Sequence, residues 1–228
     1  MPTAVVTGAN SGIGHAFAEI LIREGYDVTA ADLHVNGKLA SLQCDKAQLD
    51  VTSPDSIASF ASSYGDGPID LLLNIAGIMA PKEKDALYTV SLATLTQTFS
   101  VNTFGPLLLT QALLPNLLKS DSPKVGVMSS RVGSIADNSS GGSYAYRASK
   151  TAANSVFKNL AVDLRDKGVV VVIMHPGIVK TPMTAMGEGI AEAVWPEEAA
   201  EKLWGVVRGK GLEDSGRFWH REGFELPW

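Results

Sequence analysis

Ala4-Val5-Val6-Thr7-Gly8-Ala9-Asn10-Ser11-Gly12-Ile13-Gly14 joins a short aliphatic run to three glycines spaced Gly-x-x-x-Gly-x-Gly. The run reads as a buried strand, and residues 12–23 read as the helix that follows it. Glycines at such a turn let backbone N–H groups and the positive end of the helix dipole meet a pyrophosphate where side chains would block it. The spacing differs from the Gly-x-Gly-x-x-Gly of most dinucleotide-binding dehydrogenases. Gly8, Asn10, Ser11, Gly12, Ile13 and Gly14 are therefore expected to border a dinucleotide. Asp32, eighteen residues beyond Gly14 at the end of the second strand, is expected to accept hydrogen bonds from the adenosine ribose. A carboxylate there repels a 2′-phosphate, and neither Asn10 nor Ser11 offers a compensating charge, so NAD(H) is favoured. Lys38 and His34 downstream leave NADP(H) open.

Outward from this turn, aliphatic runs alternate with helical patterns. Further strands are expected at Val28-Thr29-Ala30-Ala31, Gln48-Leu49, Ile69-Asp70-Leu71-Leu72-Leu73, Val125-Gly126-Val127-Met128, 169–174 and Arg217-Phe218-Trp219. Helices are expected at 12–23, near 38–42, at 54–64, as one long element over about 91–118, at about 144–167 and at 196–208. The alternation implies an α/β fold, a Rossmann-type doubly wound parallel sheet of about seven strands in a single domain. Asp50-Val51 and Asn74-Ile75-Ala76-Gly77 then fall at carboxyl ends of strands, where such sheets bind ligands. Asp50 and Val51 suit the adenine ring, the small Ala76-Gly77 pair lets backbone approach a ribose, and Asn74 suits a strand-end tie.

Tyr146-Arg147-Ala148-Ser149-Lys150 places a phenol and an ammonium at i and i+4 on one helix face. A free Tyr titrates near ~10, and an adjacent cation favours the phenolate. The pair is therefore expected to form an acid tuned downward toward neutral pH, able to exchange a proton with a carbonyl or an alcohol.

Composition narrows the partners. With 228 residues, 45% hydrophobic and 19% charged, the chain is long enough for one sizeable core and shows no bias toward disorder. Its net charge is −5, and its nineteen Lys and Arg are scattered rather than gathered into a stripe, so no nucleic-acid partner is expected. No leader and no apolar run of bilayer length is apparent, so no membrane partner is expected and the protein is expected to be cytoplasmic. The single Cys44 has no internal partner, and no metal site is expected.

Taken in order, the glycine turn, Asp50, Asn74-x-Ala76-Gly77, Asn102, Ser129-Ser130, Tyr146-x-x-x-Lys150 and Pro176-Gly177 resemble those of a short-chain dehydrogenase/reductase across nearly the whole chain. The resemblance implies hydride transfer between a nicotinamide and a small-molecule carbonyl or alcohol. It implies Tyr146 as general acid/base, Lys150 lowering its pKa and holding the nicotinamide ribose, Ser130 positioning the substrate oxygen and Asn102 anchoring a water in a proton relay. Ser130 lies sixteen residues before Tyr146, a longer gap than is usual in the family, which makes Ser134 a rival. His175 is set aside, because the family fills this place with varied residue types. Pro176, Gly177, Val179 and Thr181 resemble the segment that closes over the nicotinamide, and a short substrate lid is expected near 183–195, with Met183 and Met186 lining it. The loop before Tyr146 and the ending Gly223-Phe224-Glu225-Leu226-Pro227-Trp228 are similar to those of the carbonyl-reductase-like branch. A homodimer or homotetramer is the expected assembly. Two other readings stand beside this one: a dinucleotide-sensing regulatory protein without turnover, and a non-redox cyclase or dehydratase on the same scaffold.

Overall fold

A computed structural model describes residues 1–187 and 190–228, the side chains of 185–187 aside. Seven strands form one parallel sheet: β1 (Thr3–Thr7), β2 (Asp27–Asp32), β3 (Asp45–Gln48), β4 (Leu71–Asn74), β5 (Lys124–Met128), β6 (Val170–His175) and β7 (Arg217–His220), in the order β3-β2-β1-β4-β5-β6-β7. Helices α1 (Gly12–Arg23), α2 (Lys38–Ser41), α3 (Pro54–Tyr64), α4 (Leu92–Phe99), α5 (Gly105–Ala112), α6 (Leu114–Leu117), α7 (Tyr144–Asp163) and α8 (Pro196–Gly209) connect them.

Alternate residues of each strand point to opposite faces, and both faces of the sheet are buried along its central strands β1, β4, β5 and β6. Val6, Ala30, Leu73 and Val172 meet Phe17 and Leu21 of α1 and Leu203 and Trp204 of α8. Val5, Leu72, Val127 and Ile173 meet Phe60 of α3, Leu109 of α5 and Phe157 of α7. The strand order reverses direction between β1 and β4, which leaves a crevice at their carboxyl ends. Among the described residues, no helix is long and apolar enough to cross a membrane, and no group of three or more His, Cys, Asp or Glu could hold a metal ion.

Two expectations are corrected. The third strand runs over Asp45–Gln48 rather than Gln48-Leu49. The expected long helix over 91–118 changes type along its length: α4, a π-helical segment at Ser100–Phe104 and α5 run on without a gap, and α6 follows after Leu113. Gly105 follows the π segment because α5 starts against the chain after β3, where a Cβ would sit 2.6 Å from the Val51 carbonyl oxygen. By contrast α3 matches its expected limits, with Pro54 at its first position and the Ser53 hydroxyl accepting from Ser56 N–H at 3.2 Å.

Candidate active site

A cleft of about 700 Å³ runs along the carboxyl ends of β1, β2, β4, β5 and β6. Its floor is the glycine turn. A Cβ on Gly14 would lie 2.2 Å from the Gly8 carbonyl oxygen, and one on Gly8 would lie 2.9 Å from the backbone of Ala76, so side chains are excluded at both positions. The turn is held to β4 by the Thr7 hydroxyl, which accepts from Ile75 N–H (3.0 Å) and Ala76 N–H (3.1 Å). Asp32 stands at one end of the cleft, its carboxylate accepting from the backbone N–H groups of Asn10 (3.1 Å) and His34 (3.2 Å). Each of its oxygens keeps a lone pair for a further donor.

At the opposite end, α7 carries Tyr146 and Lys150 to the cleft beside Ser130, which follows β5. Lys150 is buried, and its Nζ donates to the Met128 carbonyl at 2.8 Å. Burial lowers its pKa to about 8. Tyr146 departs from the expected downward tuning. Burial of its hydroxyl pushes the pKa above the ordinary value, and the neighbouring Ser130 hydroxyl pulls the other way without overcoming it. Lys150 Nζ lies 5.8 Å from the centre of the Tyr146 ring and spends its hydrogen bond on a carbonyl, which leaves desolvation dominant.

Most of the sequence-derived residues come together here. Gly8, Ser11, Gly12, Ile13, Gly14, Asp32, Asp50, Val51, Ala76 and Gly77 border the cleft, as do Ser130, Tyr146, Lys150, Pro176, Gly177, Val179 and Thr181. Thr181 reaches back over the glycine turn, where a Cβ on Gly12 would meet its methyl group at 3.3 Å. Three residues lie behind the wall instead. The Asn10 side-chain oxygen accepts from Leu39 N–H at 2.8 Å, and Asn74 donates to the Thr110 hydroxyl at 3.2 Å. Asn102, fully buried in the π segment, accepts from Ile78 N–H (2.8 Å) and donates to the Ile78 carbonyl (2.9 Å) and the Ser149 hydroxyl (3.0 Å). Ser134 is buried at a turn, its hydroxyl accepting from Asp137 N–H at 3.1 Å, whereas Ser130 lines the cleft.

Sequence reasoning missed Thr7 and set His175 aside. The His175 ring lines the cleft at the end of β6, and burial lowers its pKa to about 3, so it is neutral at physiological pH. Beside it, Arg221 donates to the Pro176 carbonyl at 2.8 Å, which ties the Pro176-Gly177 turn to the end of β7. Of the expected lid residues, Met183 borders the cleft and the Met186 side chain lies outside the described residues. Backbone hydrogen bonds join Val194 to Ile178 and Lys180, which closes the base of that segment.

A profile of the short chain dehydrogenase family matches residues 2–188. The chain belongs to the short-chain dehydrogenase family. Over 100% of both chains it is 38% identical to 1-hydroxy-2-glutathionyl-2-methyl-3-butene dehydrogenase of Rhodococcus sp. (strain AD45). It is 39% identical to C-signal of Myxococcus xanthus, over 75% of this chain and 99% of that protein. Among solved structures, the NADPH-bound carbonyl reductase from chicken fatty liver superposes with a TM-score of 0.89 at 32% identity, covering 100% of this chain and 99% of the other. The carbonyl reductase Sniffer of D. melanogaster gives 0.90 at 26% identity, with both chains fully covered. As a short-chain dehydrogenase of the carbonyl-reductase-like branch, the protein is an NAD(P)-dependent oxidoreductase.

Proposed function

We propose that this protein interconverts a carbonyl and an alcohol, with Tyr146 as general acid/base, Ser130 as the second donor to the reacting oxygen, and Lys150 holding the nicotinamide ribose. The supporting observation is that Tyr146 and Ser130 line one end of a cleft whose other end is a glycine turn no side chain could occupy, with the Ser130 hydroxyl near enough to influence the Tyr146 pKa. The bound dinucleotide supplies or accepts hydride. A carbonyl accepting it develops negative charge on oxygen, and two hydroxyl donors aimed at that oxygen stabilise it. Because burial raises its pKa, Tyr146 is protonated at neutral pH and ready to donate in the reductive direction. Asn102 supports the arrangement from behind, where its bonds to Ile78 and Ser149 join the cleft wall to α7. A short substrate lid is proposed near residues 183–195, of which 188 and 189 lie outside the described residues.

The cofactor proposed is NAD(H). Asp32 presents its carboxylate to the adenosine end, and His34 and Lys38 are exposed and do not border the cleft. The test is reduction of a carbonyl panel by NADH and by NADPH, followed by reduced-nicotinamide absorbance. A kcat/KM at least about tenfold higher with NADH, or roughly 1.4 kcal/mol, is expected. A preference of that size for NADPH would sink the reading of Asp32, and no turnover with either would sink the reaction.

A homodimer or homotetramer is the proposed assembly. Leu92 on α4, Phe104 and Leu108 beside and on α5, and Val162 on α7 leave apolar surface exposed on the helices that would pair. Light scattering is expected to give at least twice the chain mass, and a monomer at assay concentration rejects this.

A further inference from the structure

The helix that carries Tyr146 starts in an unusual way. Gly141, Gly142 and Ser143 are all left-handed, and Ser143, at φ 47°, is the only non-glycine with positive φ among the described residues. Ser143 occupies the cap position of α7, but its side chain makes no cap hydrogen bond. A helix of this length opens with unpaired N–H groups, and those at the cleft must be satisfied from somewhere. Asp85 satisfies them from sixty residues away. Its Oδ1 accepts from Ala145 N–H at 2.7 Å and its Oδ2 from Tyr146 N–H at 3.1 Å. The carboxylate is only 2% exposed, so it is committed to this position, where the helix dipole offsets part of the cost of its burial.

We propose that Asp85 is a positioning residue for Tyr146, fixing the first turn of α7 so that the reacting hydroxyl stays aligned with Ser130. The bond to the backbone of Tyr146 itself makes the connection direct. The same segment leads back to Ile78 and Met79 on the cleft wall, and Ile78 is pinned at both its N–H and its carbonyl by Asn102. The substrate-side wall and the start of α7 therefore share two anchors, one a buried carboxylate and one a buried amide. This inference rests on the role proposed for Tyr146.

The test uses the full chain, with steady-state carbonyl reduction, dinucleotide affinity by fluorescence, and thermal melts. Asp85→Ala is expected to lower kcat by on the order of 100-fold, as a misplacement of about 1 Å does, with dinucleotide Kd changed less than about threefold. Asp85→Asn keeps one acceptor oxygen and is expected to lower kcat by about threefold to tenfold, a partial recovery; it is the deciding variant if Asp85→Ala does not fold. Placed in a Tyr146→Phe background, Asp85→Asn is expected to cost less than about twofold more, because the hydroxyl it aligns is already gone. A kcat for Asp85→Asn within about twofold of wild type, or losses that multiply in the double variant, overturns the proposal while leaving Tyr146 in its role. Full activity in Tyr146→Phe alone would overturn both.

Discussion

Tyr146→Phe is expected to lower kcat/KM for carbonyl reduction by about 10²–10⁴-fold while leaving dinucleotide affinity within about twofold. The substitution removes one hydroxyl and preserves the ring, so the packing of α7 against the cleft is kept. On the proposed mechanism, what is lost is the proton donor. Ser130 remains as a single donor to the reacting oxygen, and its hydroxyl is far too weak an acid to deliver the proton by itself. Burial holds the Tyr146 hydroxyl above its ordinary pKa, so the acid form is present throughout the neutral range. Steady-state kinetics with cofactor fluorescence titration measure the split. A loss smaller than about tenfold would show that another group carries the proton.

Lys150→Met is expected to separate activity from stability, lowering the first and raising the second. The Lys150 ammonium is 3% exposed, and desolvation alone accounts for the fall of its pKa from 10.5 to about 8. The folded chain therefore holds this proton less readily than the unfolded chain does. At neutral pH the difference is a penalty of roughly 3 kcal/mol against folding, from about 1.4 kcal/mol per unit. Methionine removes that penalty but leaves the Met128 carbonyl without its donor, which costs roughly 1 kcal/mol. The net expectation is a Tm higher by about 5 °C in the dinucleotide-free protein.

The sign also fixes a pH dependence. Below about pH 8 the wild-type penalty is fully present, and between about 8 and 10.5 it fades as the folded chain loses the proton first, so wild-type stability rises with pH across that window. The Lys150→Met variant lacks this rise. Reduction by the wild-type enzyme should hold level up to about pH 8 and decline above it as the ammonium is lost. Melts and rate profiles on the two proteins check both. A Lys150→Met variant no more stable than wild type would mean that the ammonium is better solvated than its burial implies.

How far the sequence carried depended on whether a feature was local. Aliphatic strands buried on both faces, such as Leu71-Leu72-Leu73 and Val170 to His175, announce themselves by composition. The glycine turn does so because no other residue fits at Gly8 or Gly14. β3 was displaced because it is an edge strand of sequence Asp-Lys-Ala-Gln, mostly exposed and held by backbone bonds to β2, so it has no apolar pattern to read. The π segment inside the long helix leaves no mark in the sequence, because it has the same composition as the α-helix around it. The roles of Asp85 and Thr7 were invisible for a different reason. Both act on backbone N–H groups sixty or more residues away, and nothing in the local sequence of either marks it. The spacing to Lys150 marks Tyr146 in the sequence, but the direction of its pKa shift depends on burial, which spacing does not report.

The π segment has a consequence for how this helix tolerates change. An α-helix advances about 100° per residue, so the wider turn at Ser100–Phe104 sets α5 out of phase with α4 by a fraction of a turn. That phase difference is what lets Asn102 face Ile78 and Ser149 while Thr110, further along, still faces Asn74 and Gly105 still lies flat on Val51. Deleting one residue here would give a more regular helix and break one half of that agreement. The irregularity acts as a spacer that keeps the side facing the cleft wall and the side facing the sheet of a single helical rod separately in step with their partners.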